Sequence, residues 1–354
     1  MNRVSCLICN GPTQGKAAKI APFLSRYCAI GSLETTTRYC PECDLVFFER
    51  RLTDEEAARL YTNYRGEEYT RVRLEIEPSY ERYLALFDDP LSTDYYMIRV
   101  SDYIELVNVY PEMAEAKRIL DFGGDGTVPA RAFPWSTVTV DDLCAGNADQ
   151  IGEKFDMIFA SNVFEHLSDP VPVLRELTGR LRPDGLIFID VPAPSHSNLA
   201  EGLLWQERYG GELYEMHEHI THFSRRSLVK LAKAAGLVPV FEYPSRYCPL
   251  SLVAMLECSA LAQSLMPEKR LREIHFETRI ARDEARATHN KVNLLRQHLE
   301  QQLADLSVPH ATRDEARLDA LREELSRVYK STSWGVTAPM RVFGRAIRHL
   351  LGSR

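Results

Sequence analysis

The sequence predicts an α/β protein with a doubly wound, mostly parallel sheet, a small cysteine-rich module before it and a helical extension after it. From residue 118 onward, short apolar segments alternate with helical ones, as expected for strands joined by crossover helices. The predicted strands are 118–122, 138–140, 155–160, 186–191 and 238–241, and the predicted helices include 172–181 and 225–235. Ligands of such sheets bind at the carboxyl ends of the strands.

Length and composition favour a globular chain of more than one domain. The chain has 354 residues, of which 45% are hydrophobic, so it can bury a full core. Its net charge of −7 argues against a general nucleic-acid binder, because phosphate binding needs a basic field. No apolar run is long enough to cross a bilayer, and the N-terminus lacks the apolar core of a signal peptide. We therefore expect a soluble, cytoplasmic protein.

Four segments are predicted in chain order. They are a cysteine-rich module over 1–50, a Tyr-rich helical connector over 51–115, the α/β domain over 116–262 and a helical, coiled-coil-like tail over 263–354. The connector begins with Thr53 and Glu56 at capping-box spacing. Apolar residues at heptad-like spacing in the tail fit either a helical hairpin or an oligomerisation segment.

A glycine-rich turn follows the first predicted strand of the α/β domain. The strand ends in Asp121, and the turn contains Gly123, Gly124, Asp125 and Gly126. Glycines let a backbone approach a ligand closely, because no Cβ intervenes and positive φ is accessible. The next strand ends in Asp141, where a carboxylate can accept hydrogen bonds from both hydroxyls of a ribose, although a solvated acid at a strand end is the alternative.

These motifs together resemble the class I S-adenosylmethionine-dependent methyltransferases. Residues 155–170 resemble the fourth strand and following loop of that family, and 174–192 resemble its next helix, turn and fifth strand. The resemblance implies a Rossmann-like fold and S-adenosyl-L-methionine as cofactor. The residues it implies in cofactor binding are Asp121, Gly123, Gly124, Asp125, Gly126, Asp141 and Asn162, with Asp149 assigned to the adenine amine. The third glycine of the usual loop would fall at Thr127, and the glycines alone would also fit a dinucleotide dehydrogenase.

Three histidines lie close together before the helix predicted at 225–235. His217, His219 and His222 occur within six residues, beside Glu218, and such a cluster fits either a general base or a metal site. Related methyltransferases have a serine that caps this helix, and Ser224 occupies that position. We expect His219 or His222 to lie in the acceptor pocket, with a structural role as the alternative. His166, after the fourth strand, is the next candidate for a base.

Two C-x-x-C pairs predict a structural zinc site. Cys6 and Cys9 form one pair, and Cys40 and Cys43 form the other, so that four thiolates complete a tetrahedral Zn²⁺ shell without an open position. The ion should stabilise a segment that is too small to fold alone. The other cysteines of the eight, Cys28, Cys144, Cys248 and Cys258, are expected to be buried or free.

Further resemblances indicate the substrate class. Certain bacterial methyltransferases that act on sugars share the order of a four-cysteine module and a Tyr-rich helical linker, here 60–69. Residues 331–341 are similar to a C-terminal motif of bacterial glycosyltransferases and other cell-surface polysaccharide enzymes. The basic, amphipathic stretch 340–354 fits either contact with the inner membrane face or packing on the protein itself.

Three functions follow as hypotheses. The first is methylation of a carbohydrate or related small metabolite in bacterial cell-surface polysaccharide biosynthesis. The second is a noncatalytic scaffold that binds partners through the zinc module and the helical tail. The third is an RNA methyltransferase, against which the acidic charge balance counts.

Overall fold

The computed structural model describes residues 2–84, 94–109, 111–141, 152–192, 199–243 and 250–266. All of these residues belong to one compact unit, Met1–Ile274. The predictions for Asp149, for Cys144 and Cys248, and for the tail from residue 267 onward lie outside the described residues.

A six-stranded sheet forms the centre of the α/β part. Its strands, in chain order among the elements described below, are β4 (Arg118–Phe122), β5 (Thr137–Asp141), β6 (Phe155–Ser161), β7 (Leu181–Val191), β10 (Leu237–Tyr243) and β11 (Leu250–Leu256). The spatial order is β10-β11-β7-β6-β4-β5. Strands β4 to β7 are parallel, whereas β11 runs antiparallel to both β7 and β10. The predicted α/β class is confirmed.

The strand order reverses between β4 and β6, which are neighbours although β5 lies between them in the chain. Connections from adjacent strands diverge at such a point, which leaves a crevice at their carboxyl ends. The helices of this part are α5 (Asp94–Val109), α6 (Thr127–Ala132), α7 (Pro170–Gly179), α8 (Leu199–Tyr209), α9 (Arg225–Ala234) and α10 (Ala260–Leu265). The crevice between β4 and β6 is therefore the expected ligand site.

A second, five-stranded sheet is built from two distant parts of the chain. The N-terminal part supplies β1 (Gln14–Ile20), β2 (Glu34–Cys40) and β3 (Leu45–Phe48), and the segment after β7 supplies β8 (Glu215–Met216) and β9 (Thr221–Phe223). The order is β8-β1-β2-β3-β9, so both edge strands come from the later segment. The pairing of β3 with β9 is antiparallel and places Val46 opposite His222.

Short helices lie in the N-terminal part, one between β1 and β2 and the others between β3 and β4. They are α1 (Pro22–Tyr27), α2 (Asp54–Tyr61), α3 (Glu67–Ile76) and α4 (Glu81–Leu84). The predicted capping box of α2 is present, since the Glu56 N–H donates to the Thr53 hydroxyl and the Glu56 carboxylate accepts from the Thr53 N–H. One apolar core runs from Cys6 and Phe47 of the N-terminal part to Phe223 of β9 and Leu228 of α9. The described ranges contain no helix with the length and apolar character needed to cross a membrane.

Candidate functional site

A cavity of about 640 Å³ lies at the crevice between β4 and β6. Its walls come from the helices between β3 and β4, the segments after β4, β6 and β7, and the segment before β9. The lining residues are Tyr64, Arg65, Arg73, Tyr80, Tyr96, Arg99, Tyr103, Asp121, Gly123, Gly124, Asp125, Val128, Pro129, Ser161, Asn162, Glu165, His166, Pro192, Glu218 and His219. The cavity therefore joins the glycine-rich turn to the histidine-containing segment.

The glycine-rich turn wraps around the carboxylate of Asp121. Gly123 has a φ of +71°, and a Cβ there would lie 2.7 Å from a Val163 methyl group. A Cβ on Gly124 would overlap the Asp121 carboxylate, which accepts a hydrogen bond of 2.8 Å from the Gly126 N–H. Burial raises the pKa of Asp121 to about 6, although the Gly126 N–H opposes the rise. Side chains are thus excluded from this wall, as a closely approaching nucleoside would require.

Asn162 is held in place by the neighbouring strand. Its backbone has a φ of +54°, a region that asparagine tolerates, and its N–H donates to Asp190 at 3.0 Å. Tyr103 of α5 bonds to the Ser161 hydroxyl, and Arg99 lies 4.0 Å from the Asp190 carboxylate. The sequence pattern did not indicate Arg99 or Tyr103, because α5 carries no motif, and it marked Asp190 only as part of a strand.

The structure does not bring Asp141 to the cavity wall. It ends β5 as predicted, but its carboxylate forms an ion pair with Arg180 and is not among the lining residues. A ribose at this strand end would compete with Arg180 for the carboxylate. The role of Asp141 remains a prediction.

The opposite side of the cavity contains a buried ionic network. Glu218 accepts hydrogen bonds from Tyr69 and, at 3.0 Å, from Arg73. Arg73 also bonds to Glu77 at 3.0 Å, and Glu77 lies 2.9 Å from a ring nitrogen of His217. Burial alone would raise the pKa of Glu218, but Arg73, His217 and the hydrogen bond from Tyr69 together outweigh it and lower that pKa to about 2. This carboxylate is therefore charged at neutral pH.

The three candidate histidines have different surroundings. His166 and His219 line the cavity with ring centroids 5.0 Å apart, and His166 Nδ1 lies 2.9 Å from the Glu218 carbonyl. Burial lowers the pKa of His219 well below its usual range, so its ring is neutral at pH 7. His222 is instead buried in β9 near the ring of Phe48 and does not line the cavity. Of the two pocket candidates, the structure places only His219 in the wall.

The four paired cysteines converge on one point. Their sulfur atoms lie within 4.8 Å of one another, and all but Cys9 are buried. Each pair is followed by a residue with positive φ, Asn10 at +56° and Asp44 at +52°. These turns direct N–H groups to sulfur: at 3.4 Å, Cys6 accepts from Ile8, Cys9 from Gly11 and Cys40 from Cys43. Such N–H donors stabilise thiolates, so the geometry fits a tetrahedral Zn²⁺.

Arg51 links the N-terminal part to both walls of the cavity, although no sequence motif marked it. Its side chain is only 2% exposed. It donates to the carbonyls of Phe48 (3.3 Å), Ile220 (2.6 Å), Leu167 (2.6 Å) and Ser168 (3.1 Å) and to the Thr221 hydroxyl (2.7 Å). Because the acceptors belong to the loop after β6 and to β9, this one side chain holds these elements together.

Comparison with known proteins identifies the α/β part. Residues 95–241 match the family model of a methyltransferase domain. By this match, the segment is similar to methyltransferase domains. The matched segment begins in α5 and therefore includes Arg99 and Tyr103.

Individual relatives match shorter segments. The chain is 43% identical over 58 residues to a tRNA U34 carboxymethyltransferase of Campylobacter hominis, covering 16% of this chain and 20% of the relative. It is 33% identical over 55 residues to a ubiquinone biosynthesis O-methyltransferase of Haemophilus ducreyi, covering 16% and 23%. The chain thus spans about a fifth of the length of each relative. Among solved structures, mitomycin 7-O-methyltransferase is similar with a TM-score of 0.34 and 18% identity, covering 51% of this chain and 59% of that one.

Proposed function

We propose that this chain binds S-adenosyl-L-methionine against the glycine-rich turn and transfers its methyl group to a carbohydrate or related small metabolite. The observation that carries the proposal is the continuous cavity between that turn and His219. In methyl transfer the cofactor supplies an activated electrophile, and the protein mainly supplies alignment. A cavity that connects a surface for the nucleoside, at the glycine-rich turn, to the base His219 meets this requirement.

The cofactor half of the cavity fits an adenosyl group by shape. Gly123 and Gly124 leave a wall without side chains, and the backbone of Asn162 is fixed by Asp190. Arg99 lines the same cavity and offers a guanidinium for the cofactor carboxylate. The methionine carboxylate and the nucleoside therefore have separate places in the cavity.

The acceptor half offers aromatic and charged groups. Tyr64 and Tyr80 line it, and Arg73 lies against the Tyr80 ring at 4.2 Å from the ring centroid. Tyrosine rings have apolar faces on which a sugar can stack and hydroxyls that can bond to it. Tyr214 does not contribute to this half, because it packs against the N-terminal core and is not among the lining residues.

The proton of an acceptor hydroxyl needs a destination during transfer. The methyl carbon would pass from the sulfonium sulfur to the acceptor oxygen, the thioether would leave neutral, and the hydroxyl proton would go to the neutral ring of His219. Glu218, next to it in sequence and charged, would stabilise the resulting imidazolium. His219 would thereby orient and deprotonate the acceptor.

Calorimetry with S-adenosyl-L-methionine tests the cofactor assignment. We expect one binding site per chain, and no binding to the folded protein would leave only the noncatalytic scaffold hypothesis. With an identified acceptor, His219→Asn should reduce turnover at least tenfold at unchanged cofactor affinity. His222→Asn is the matched control, since His222 does not line the cavity. A loss of turnover in His222→Asn without loss of folding, or full turnover in His219→Asn, would contradict the assignment.

We further propose one structural Zn²⁺ per chain, held by Cys6, Cys9, Cys40 and Cys43. The converging sulfur atoms and their N–H donors support it. In elemental analysis of metal-replete protein, Cys40→Ser with Cys43→Ser should contain one zinc ion fewer per chain than the wild type. Cys258→Ser, an exposed thiol outside the cluster, should retain the wild-type zinc content. An unchanged zinc content in the double variant would refute the ligand set.

The cellular setting rests on the tail, which lies outside the described residues. The similarity of 331–341 to enzymes of cell-surface polysaccharide synthesis supports a glycan or sugar precursor as acceptor in a cytoplasmic reaction. The basic stretch 340–354 would bring the enzyme to the inner membrane face. Flotation of the full chain with anionic vesicles, compared with neutral ones, tests this contact.

A further inference from the structure

Glu165 is a buried carboxylate without a partner. Its side chain is 2% exposed, and neither carboxylate oxygen has a hydrogen bond within the described part of the chain. Burying an unpaired carboxylate is costly, so such a group is expected to take up a proton or a cation. It lines the cavity beside His166.

The hydrogen bonding of His166 determines which nitrogen faces Glu165. Its Nδ1 lies 2.9 Å from the backbone carbonyl of Glu218, and a carbonyl can only accept. Nδ1 therefore carries the proton, and Nε2 of the neutral ring has a free lone pair. That Nε2 lies 3.8 Å from a carboxylate oxygen of Glu165. Two acceptors thus face each other with no donor between them.

His219 completes a group of three. One potential ligand atom from each of Glu165, His166 and His219 lies within 4.8 Å of the other two. The sequence separates His219 from the other two by more than fifty residues, and the hydrogen bond between His166 and the Glu218 carbonyl holds the segments together.

We propose that Glu165, His166 and His219 bind one divalent metal ion in the acceptor half of the cavity. Two imidazoles and one carboxylate are the ligand set of open transition-metal sites, in which three protein ligands leave positions for water or substrate. The hydrogen bond from His166 to the Glu218 carbonyl is the outer contact that orients such a ligand. This site differs from the cysteine cluster in having nitrogen and oxygen ligands, which also suit Mn²⁺.

The site shares His219 with the proposed function and gives it a different role, but the test of the site does not depend on methyl transfer. An oxygen of the acceptor could occupy an open position, and its hydroxyl pKa would fall on coordination. His219 would then act as a ligand, and deprotonation would no longer require it as the base.

Manganese binding to the full chain loaded with one equivalent of zinc tests the proposal. The four cysteine thiolates take up that zinc, and Mn²⁺ prefers oxygen ligands such as carboxylates over thiolates. In a titration followed by the electron paramagnetic resonance signal of free Mn²⁺, we expect one saturable site per chain. Pulsed spectroscopy of the bound ion should show coupling to imidazole nitrogen, which requires no variant.

Variants assign the ligands. Glu165→Gln and His219→Asn should each weaken Mn²⁺ binding at least tenfold, whereas His222→Asn should leave it unchanged. Circular dichroism and cofactor calorimetry show whether each variant is folded. The site is refuted if the wild-type chain binds no Mn²⁺, if the bound ion shows no nitrogen coupling, or if folded Glu165→Gln binds Mn²⁺ normally. In that case a proton lies between the Glu165 carboxylate and His166 Nε2. Cofactor binding without metal binding would overturn this inference alone.

Discussion

The hydroxyl of Ser224 donates a 2.7 Å hydrogen bond to the backbone carbonyl of Asp44, the residue that follows the second cysteine pair. The same oxygen accepts from the Ser227 N–H and so caps α9, as the sequence predicted. One side chain thus connects the cysteine cluster to a helix of the α/β part. The cluster therefore packs against the α/β part and is not an isolated appendage.

Ser224→Ala should release zinc faster while also destabilising the fold. Loss of an N-cap costs about 1 kcal/mol in the free energy of unfolding, which urea titration measures. Ser259→Ala removes the N-cap of α10, which has no contact with the cysteines, and is the matched control. Zinc transfer to a chromogenic chelator should accelerate in Ser224→Ala only. Equal rates in both variants would show that the Asp44 contact does not support the cluster.

Arg51→Met should be among the most destabilising substitutions in the described part of the chain. It removes a buried donor and leaves several carbonyls unsatisfied, so we expect a loss of about 3–5 kcal/mol in the free energy of unfolding. Arg38→Met is the comparison, because Arg38 forms a partly exposed ion pair with Glu49 that is worth about 1 kcal/mol or less. Similar losses for both arginines would contradict the linking role of Arg51.

Asp121→Asn should change how stability depends on pH. The folded pKa of about 6 exceeds the usual value of 3.8, so folding favours the protonated carboxyl group. Below pH 4 the carboxyl group does not change the free energy of unfolding. As pH rises through 6, the free energy of unfolding falls, because ionising a buried acid destabilises the folded state. Between pH 5 and pH 8 this group should lower the wild-type free energy of unfolding by about 1.4 kcal/mol, the equivalent of one pKa unit.

The asparagine variant lacks that ionisation. Its stability relative to the wild type, measured by urea unfolding without cofactor, should therefore rise by about the same 1.4 kcal/mol over this range. A difference that is independent of pH would show that Asp121 is ionised throughout.

Asp141→Ala should weaken cofactor binding by about 1.5–3 kcal/mol if the carboxylate accepts the ribose hydroxyls. Calorimetry of the folded variant measures this directly. Arg180→Met separates the two uses of the carboxylate, because it removes the ion pair without removing the acceptor. We expect Arg180→Met to bind cofactor at least as tightly as the wild type. Unchanged affinity in Asp141→Ala would rule out the ribose assignment.

Local patterns in the sequence were sufficient for the strand-and-helix alternation of the α/β part, the glycine-rich turn after β4 and the cap at Ser224. Each depends on residues that are close in the chain, so that the local sequence itself shows the required backbone conformation and apolar spacing. The same holds for each cysteine pair by itself. Whether the two pairs share one ion depends on contacts between distant segments, such as the bridge between Asn2 and Arg50, that bring Cys6 and Cys9 to Cys40 and Cys43.

Only the tertiary structure decided which distant residues meet. Strand β9 pairs with β3, and this pairing buries His222 in a sheet while His219 faces the cavity. Arg51, the pair of Arg73 with Glu218, and Arg99 near Asp190 are contacts across large separations in the chain. Such contacts have no periodic signal, because a buried polar side chain is specified by where its partners lie in space and not by its neighbours in sequence.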